Sequence, residues 1–275
     1  VVKQRVMSFF CFMLRQICAK DFHYKKWSCA HSWHSSILFL HCIYDYKDIS
    51  INKMEKIALE SLRLIAADYV SQQVINELRS EGIYSIKNNP NVHVNVVLVS
   101  TDKGADNVNK ILETHARARR NVVIKMNPEL SIKEESDIFS ILSFQADSNP
   151  YLELKKFLQL YNICIEKHGI LCFDLSDFSI LIRGRNVIST HSYVYNKDIT
   201  DALEHIKSIY IKENGRYLLA ITIANDYTDE MKVITLPEKI MLPVGDYIEA
   251  FPDKSLLYLT ITIATPKTLT LFTSV

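Results

Sequence analysis

Val92 to Ser100 reads Val-His-Val-Asn-Val-Val-Leu-Val-Ser, and a run this rich in β-branched and apolar residues predicts a strand covered on both faces. Such strands belong to parallel sheets, because the crossover between two parallel strands lays a helix on a sheet face. The next segment agrees. Asp102 to Asp106 reads as a polar loop, Asn107 to Arg119 as a helix, and Val122 to Met126 as a second strand closed by Asn127-Pro128. Strand, crossover helix and strand predict a right-handed parallel pair.

Upstream, residues 52–81 read as helical. Ile57, Leu59, Leu62, Leu64, Ile65, Tyr69, Val70, Val74, Ile75 and Leu78 recur at three- and four-residue steps, and Gly82 supplies a stop. Downstream, Ser131 to Ser143 reads as a helix opened by Ser131, Glu134 and Glu135, and Asp147-Ser148-Asn149-Pro150 ends it. Leu152, Leu154, Phe157, Leu158, Leu160, Tyr161, Ile163, Cys164 and Ile165 then mark a helix apolar nearly all round, ending at His168-Gly169. A helix of that kind sits between layers. Ile199 to Ile209 reads as an amphipathic helix. Tyr217 to Ala224, Lys239 to Leu242, Asp246 to Ala250, Leu256 to Thr265 and a short Leu269 to Thr273 read as strands.

The expected class is therefore α/β: a parallel-sheet, Rossmann-like N-terminal part, a long central helix, and an α+β C-terminal domain with a mixed sheet. The divisions fall at residues 1–50 (an atypical segment), 51–148 (α/β, nucleotide-binding-like), 149–169 (the central helix) and 170–275.

A formal net charge of +1 over 275 residues gives bulk electrostatics no reason to attract nucleic acid or a membrane surface. Met7 to Leu14, the longest apolar run near the start, is far too short to span a bilayer. Six cysteines without paired spacing or a secretory signal predict reduced thiols and a cytoplasmic protein. Cys29, His31, His34, His41 and Cys42 invite a zinc reading, but their spacing matches no standard ligand pattern, so no metal is expected. Opening on Val1 instead of Met leaves room for a natural N-terminal portion ahead of it.

Several other signals are set aside. His115, Arg117, Arg119 and Arg120 read as a solvated helix end whose cations suit the helix C-terminus. Arg185-Asn186 with His191 has the outline of a ribonuclease motif in the wrong context. Neither G-x-S-x-G nor G-x-G-x-x-G occurs.

Directly after the central helix comes Gly169-Ile170-Leu171-Cys172-Phe173-Asp174-Leu175-Ser176-Asp177-Phe178. By itself Asp-x-x-Asp after a glycine reads as a helix end followed by the N-cap of the next helix. With its neighbours it resembles the tubulin/FtsZ superfamily, as a divergent member. Cys-Phe-Asp-Leu-Ser-Asp-Phe is similar to the family's Asn-Val-Asp-Phe-Ala-Asp-Val loop, with Cys172 replacing the Asn. Asp201-Ala202-Leu203-Glu204 falls where the family has an Asp-Arg-Ala helix. Leu218 to Ile223 followed by Thr228 to Met231 resembles its Leu-Val-Asn-Ile-Thr strand and Leu-Thr-Leu-x-Glu stretch. Tyr247-Ile248-Glu249 with Leu257 to Thr265 resembles its closing hairpin, and Val122 to Pro128 its strand ending in Ile-Pro-Asn. The match spans residues 70–266 in element order.

The resemblance implies a filament-forming GTPase: GTP with Mg in the N-terminal part, subunits stacked head to tail, and Asp174 and Asp177 acting on the nucleotide of the next subunit. It also implies Asn127 as a nucleotide contact. Against this stand the glycines. The family cradles phosphate in Gly-rich loops, which work because glycine lets backbone N–H groups close around an anion. This chain has 6 glycines and no such loop. The alternative expectation is thus a non-catalytic self-assembling scaffold, or a viral structural protein, that binds no nucleotide.

Overall fold

The computed structural model describes residues 56–86, 89–115, 118–132, 139–167, 169–171, 173–196, 198–224 and 238–275. The expected strand at Ile37–Tyr44, the Cys/His cluster, the Thr228–Met231 stretch and Cys172 lie outside them. Among the described residues the strands are β1 (Ile57–Leu59), β2 (Leu62–Ala66), β3 (Ile83–Ser85), β4 (Val94–Val99), β5 (Arg120–Lys125), β6 (Phe139–Phe144), β7 (Arg185–Val194), β8 (Arg216–Ile223), β9 (Leu256–Ile263) and β10 (Thr268–Ser274). The helices are α1 (Tyr69–Ser80), α2 (Asp102–Thr114), α3 (Pro150–Tyr161), α4 (Leu175–Leu181), α5 (Thr200–Lys207) and α6 (Glu238–Glu249), with a π-turn at Asn162–Glu166 extending α3.

Eight strands form one sheet in the order β2-β4-β5-β6-β7-β10-β8-β9. From β2 to β7 every pair is parallel, β10 is antiparallel to both its neighbours, and β8 and β9 are parallel. The α/β class with a parallel N-terminal half, a central helix and a mixed C-terminal half is thus what the chain adopts. β4 is buried at all six positions, as its composition requires. β5 lies beside it in register, Val94 opposite Arg120 and Val99 opposite Lys125.

β1 and β2 are two halves of one broken strand. The lower half pairs with β3 on one side and the upper half with β4 on the other. α1 therefore carries the chain to one side of this strand, and α2 carries it from β4 to β5 on the other side. The helices also take opposite faces. Ile75 and Leu78 of α1 join a cluster with Val94, Val96 and Leu98, and Val108 and Leu112 of α2 join one with Val97, Val99 and Val123. This reversal is a topological switch point, the place where open α/β sheets form their ligand crevices.

The central helix packs where expected. Phe157 of α3 meets Phe178 of α4 and Phe272 of β10 at ring-centroid distances of 6.1 and 6.0 Å. One apolar cluster therefore spans both halves of the sheet. The opposite face of the C-terminal half is covered by α5 and α6 through Leu203, Ile206, Ile240, Val244 and Ile248.

Four local expectations are overturned. Residues 57–66 are strands, not helix: the chain breaks at Glu60-Ser61, and a strand covered on both faces mimics helical spacing by being apolar at nearly every position. Asp68 caps α1, its side chain accepting from Ser71 N–H, and Gly82 (φ 88°) follows the helix end as a residue without a Cβ must where the backbone turns left-handed. Asp102–Asp106 is the first turn of α2, not a loop, because Thr101 caps it. Of the expected helix at 131–143, residues 133–138 lie outside the described ones, and from Phe139 the chain forms β6 instead, whose Phe139, Ile141, Leu142 and Phe144 are buried in the middle of the sheet.

The last of the four concerns residues 239–250, which form α6 instead of two strands, despite Pro243 within it. Ile240, Met241, Val244, Tyr247 and Ile248 are buried at helical spacing, and that stripe outweighs the breakers. The expected closing hairpin fails with it. Tyr247-Ile248-Glu249 end α6, and Leu256–Ile263 pairs in parallel with β8. Backbone at Leu171 bridges the outer edge of β9 at Ile261, which shields that edge from pairing with another chain.

Candidate functional site

Asp174 and Asp177 lie at the start of α4. Asp174 Oδ1 accepts from the N–H groups of Ser176 and Asp177 at 2.7 and 2.9 Å, and Asp177 Oδ2 accepts from Asp174 N–H at 3.4 Å. This is a reciprocal capping box. The ordinary reading of Asp-x-x-Asp is therefore what the local geometry displays. Asp174 is exposed, so the box stands on the surface with one carboxylate facing outward. Tyr258 meets Phe173, the residue before Asp174, edge to face at 5.3 Å, and burial followed by the charges of Asp177 and Asp174 pushes its phenol pKa upward.

Asn127 follows the C-terminal end of β5, exposed, its Oδ1 accepting from Glu129 N–H at 3.1 Å. The aspartates are at the other end of the same strand. Arg120, the first residue of β5, donates from Nε to Ser179 Oγ of α4 at 2.9 Å, two residues past Asp177. The six residues of β5, at ~3.3 Å each, put about 20 Å between the two groups. No single ligand in one chain touches both.

A second constellation escaped the sequence reading. Asp68, between β2 and α1, sits at the switch point. Its Oδ1 accepts from Ser71 N–H at 2.8 Å, and its Oδ2 from Ser100 and Thr101 N–H at 2.9 and 3.1 Å. One half-buried carboxylate thus joins the N-terminus of α1 to the junction of β4 and α2. Burial pushes its pKa up, but the hydrogen bonds from Ser71, Ser100 and Thr101 outweigh this and hold it below its ordinary value. Beneath it, Ser71 Oγ and Ser100 Oγ are 2.9 Å apart. Gly104 completes the arrangement: a Cβ there would come 2.2 Å from Asp68 Oδ2. The available signals were Asp68-x-x-Ser71 directly after an apolar run and Gly104 within a helical stretch.

The nucleotide implied by the resemblance needs backbone donors at a helix N-terminus, open to a phosphate. Here those of Ser71, Ser100 and Thr101 already serve Asp68, and a carboxylate repels phosphate. The described residues at the crevice do not fit GTP. Among the described residues no group of His, Cys, Asp or Glu could hold a metal ion, and no helix is long and apolar enough to cross a membrane.

No protein-family model and no curated protein sequence matches the chain. Solved structures of tubulin/FtsZ-family proteins are similar to it. CetZ from Methanosaeta thermophila aligns at 11% identity and TM-score 0.46, over 79% of this chain and 86% of that one. CetZ1 from Haloferax volcanii, a GDP-bound monomer, aligns at 12% and 0.41, over 76% and 71%. TubZ from Bacillus thuringiensis serovar israelensis, solved as GDP-form protofilaments, aligns at 10% and 0.39, over 75% and 69%.

Proposed function

We propose that this chain is a tubulin/FtsZ-like subunit that assembles with itself head to tail. The observation that carries the reading is the placement of Asn127 and the aspartate loop at opposite ends of β5. Groups set at opposite poles meet only between two copies, and a repeated pole-to-pole contact is heterologous, so it propagates as an open filament. Both poles also expose apolar side chains. Tyr69 and Val70, 76% and 44% exposed, stand beside Asp68 at the strand C-terminal end, and Ile180, 47% exposed, stands on α4 at the other end.

The resemblance extends this reading to GTP hydrolysis, with Asp174 and Asp177 reaching the nucleotide of the next subunit and Asn127 helping to hold it. Their polar placement supports that extension. The occupied crevice favours instead an assembling scaffold without catalysis, and assembly is the function the geometry supports best.

Sedimentation of the purified chain, with and without GTP, tests this reading. Tyr69→Asp and Ile180→Asp each damage one pole. Each variant alone is expected to stay monomeric, while their mixture forms dimers and nothing longer, because each partner retains one sound pole. A wild-type chain that stays monomeric at high concentration, or single variants that assemble like wild type, would defeat the proposal.

A further inference from the structure

We infer that Asp68 is a built-in anion: its carboxylate occupies the place at the switch-point crevice where a phosphate would sit, and so closes this crevice to phosphorylated ligands. The inference stands on the crevice alone. Its consequence, an assembly that needs no nucleotide, rests on the head-to-tail reading above.

Three observations converge. The crevice lies between strands whose helices leave to opposite faces of the sheet, where anionic ligands are received in such folds. The donors that would receive one are turned inward and used: Ser71 N–H on Oδ1, Ser100 and Thr101 N–H on Oδ2. Space has been made for this carboxylate specifically, since any side chain at residue 104 would collide with Oδ2.

Geometry also argues that the tethered group wins. A carboxylate attached to the chain competes at a fixed, high effective concentration, whereas free phosphate must displace it and lose orientational freedom. Incoming phosphate would further meet the negative charge of Asp68 at close range. In an ordinary anion site the ligand brings two helix N-termini together. Here the protein's own side chain does so permanently, and Ser71 and Ser100 lock the junction beneath through their hydroxyls.

The test is anion rescue in the full chain. Asp68→Ala should melt at a lower temperature than wild type. Inorganic phosphate or pyrophosphate, at ionic strength matched with chloride, should raise the variant's midpoint by about 3 °C or more and leave wild type unmoved. A wild-type chain stabilised by phosphate, GDP or GTP as much as the variant would overturn the inference, as would a variant that no anion rescues.

Should Asp68→Ala fail to fold, the amide NMR signals of Ser71, Ser100 and Thr101 in wild type decide the matter. They should move as Asp68 is protonated and stay still when phosphate is added. Movement with phosphate at neutral pH sinks the inference. Sedimentation without nucleotide is a separate readout, so failure of the assembly reading leaves a distinct signature.

Discussion

Glu166 Oε1 accepts from both the N–H and the hydroxyl of Ser61, at 2.9 and 2.8 Å, across 105 residues of sequence. The pair fastens the π-turn at the end of the central helix to the break between β1 and β2. The Ser61 hydroxyl is also 2.7 Å from Tyr161 OH, so the joint involves both ends of the turn.

Glu166→Ala is expected to destabilise the fold by about 1–2 kcal/mol, the range for a hydrogen-bonded charge that is only partly buried. In urea denaturation the double variant with Ser61→Ala should lose less than the sum of the two single losses. Strict additivity would show that the contact contributes nothing as a pair.

Gly104→Ala is expected to destabilise, although Ala in place of a helical Gly ordinarily gains roughly 0.5–1 kcal/mol. The sign reverses because the new methyl would meet Asp68 Oδ2 at 2.2 Å, and that side chain is held by three N–H donors. Combined with Asp68→Ala, the same substitution should become neutral or favourable. Thermal midpoints of the four proteins measure both outcomes.

Acid should weaken the fold through Asp68. Its folded pKa lies below the ordinary aspartate value of 3.8, so its contribution is fully present above that value and is lost as pH falls through the folded pKa. The window is therefore below about pH 4. Asp68→Asn should flatten this part of the stability–pH curve, and an unchanged acid limb would show that other carboxylates dominate it.

Asp174→Ala should cost about 1 kcal/mol as a lost N-cap, whereas Asp174→Asn should stay within a few tenths, since Asn caps nearly as well. Thermal unfolding of both variants gives the comparison. An Asn variant as unstable as the Ala variant would mean that the charge of Asp174, and not its capping acceptor, holds α4 in place.

Phe157→Ala should cost about 3–5 kcal/mol and lower the stability of both halves of the sheet together. Circular dichroism and tyrosine fluorescence transitions are expected to coincide. Two separated transitions would show that the halves on either side of α3 are independent units.

The parallel core was legible because Val92–Ser100 and Val122–Met126 carry a composition that few other environments tolerate. The central helix was legible because Leu154, Phe157, Leu158 and Tyr161 recur at three- and four-residue steps, the spacing of one helix face, and all four are buried. Periodicity misled where burial was two-sided. Leu59, Leu62 and Leu64 satisfy helical and strand spacing alike, and only the break at Glu60-Ser61 separates them. At residues 239–250 the presence of Pro243 and Gly245 obscured a helical stripe that the sheet nevertheless buries. Asp174 and Asp177 could be found by pattern, but Asp68 could not be connected with Ser100, Thr101 and Gly104. Those residues are 32–36 positions away in sequence, and the fold alone brings them together.

The placement of β10 has a bearing on how the chain acquires its structure during synthesis. Among the described residues β10 comes last in chain order, yet it lies between β7 and β8 in the middle of the sheet. β7 and β8 are synthesised before the strand that joins them exists, and β9 comes just ahead of it, ending at Ile263 where β10 begins at Thr268. The N-terminal half can settle as it emerges, but the C-terminal half must wait with two unpaired strand edges exposed. Delayed closure of this kind makes folding slow and leaves nascent chains open to association. Pairing of the seven-residue β10 with β7 and β8 therefore decides when the two halves of the sheet are joined.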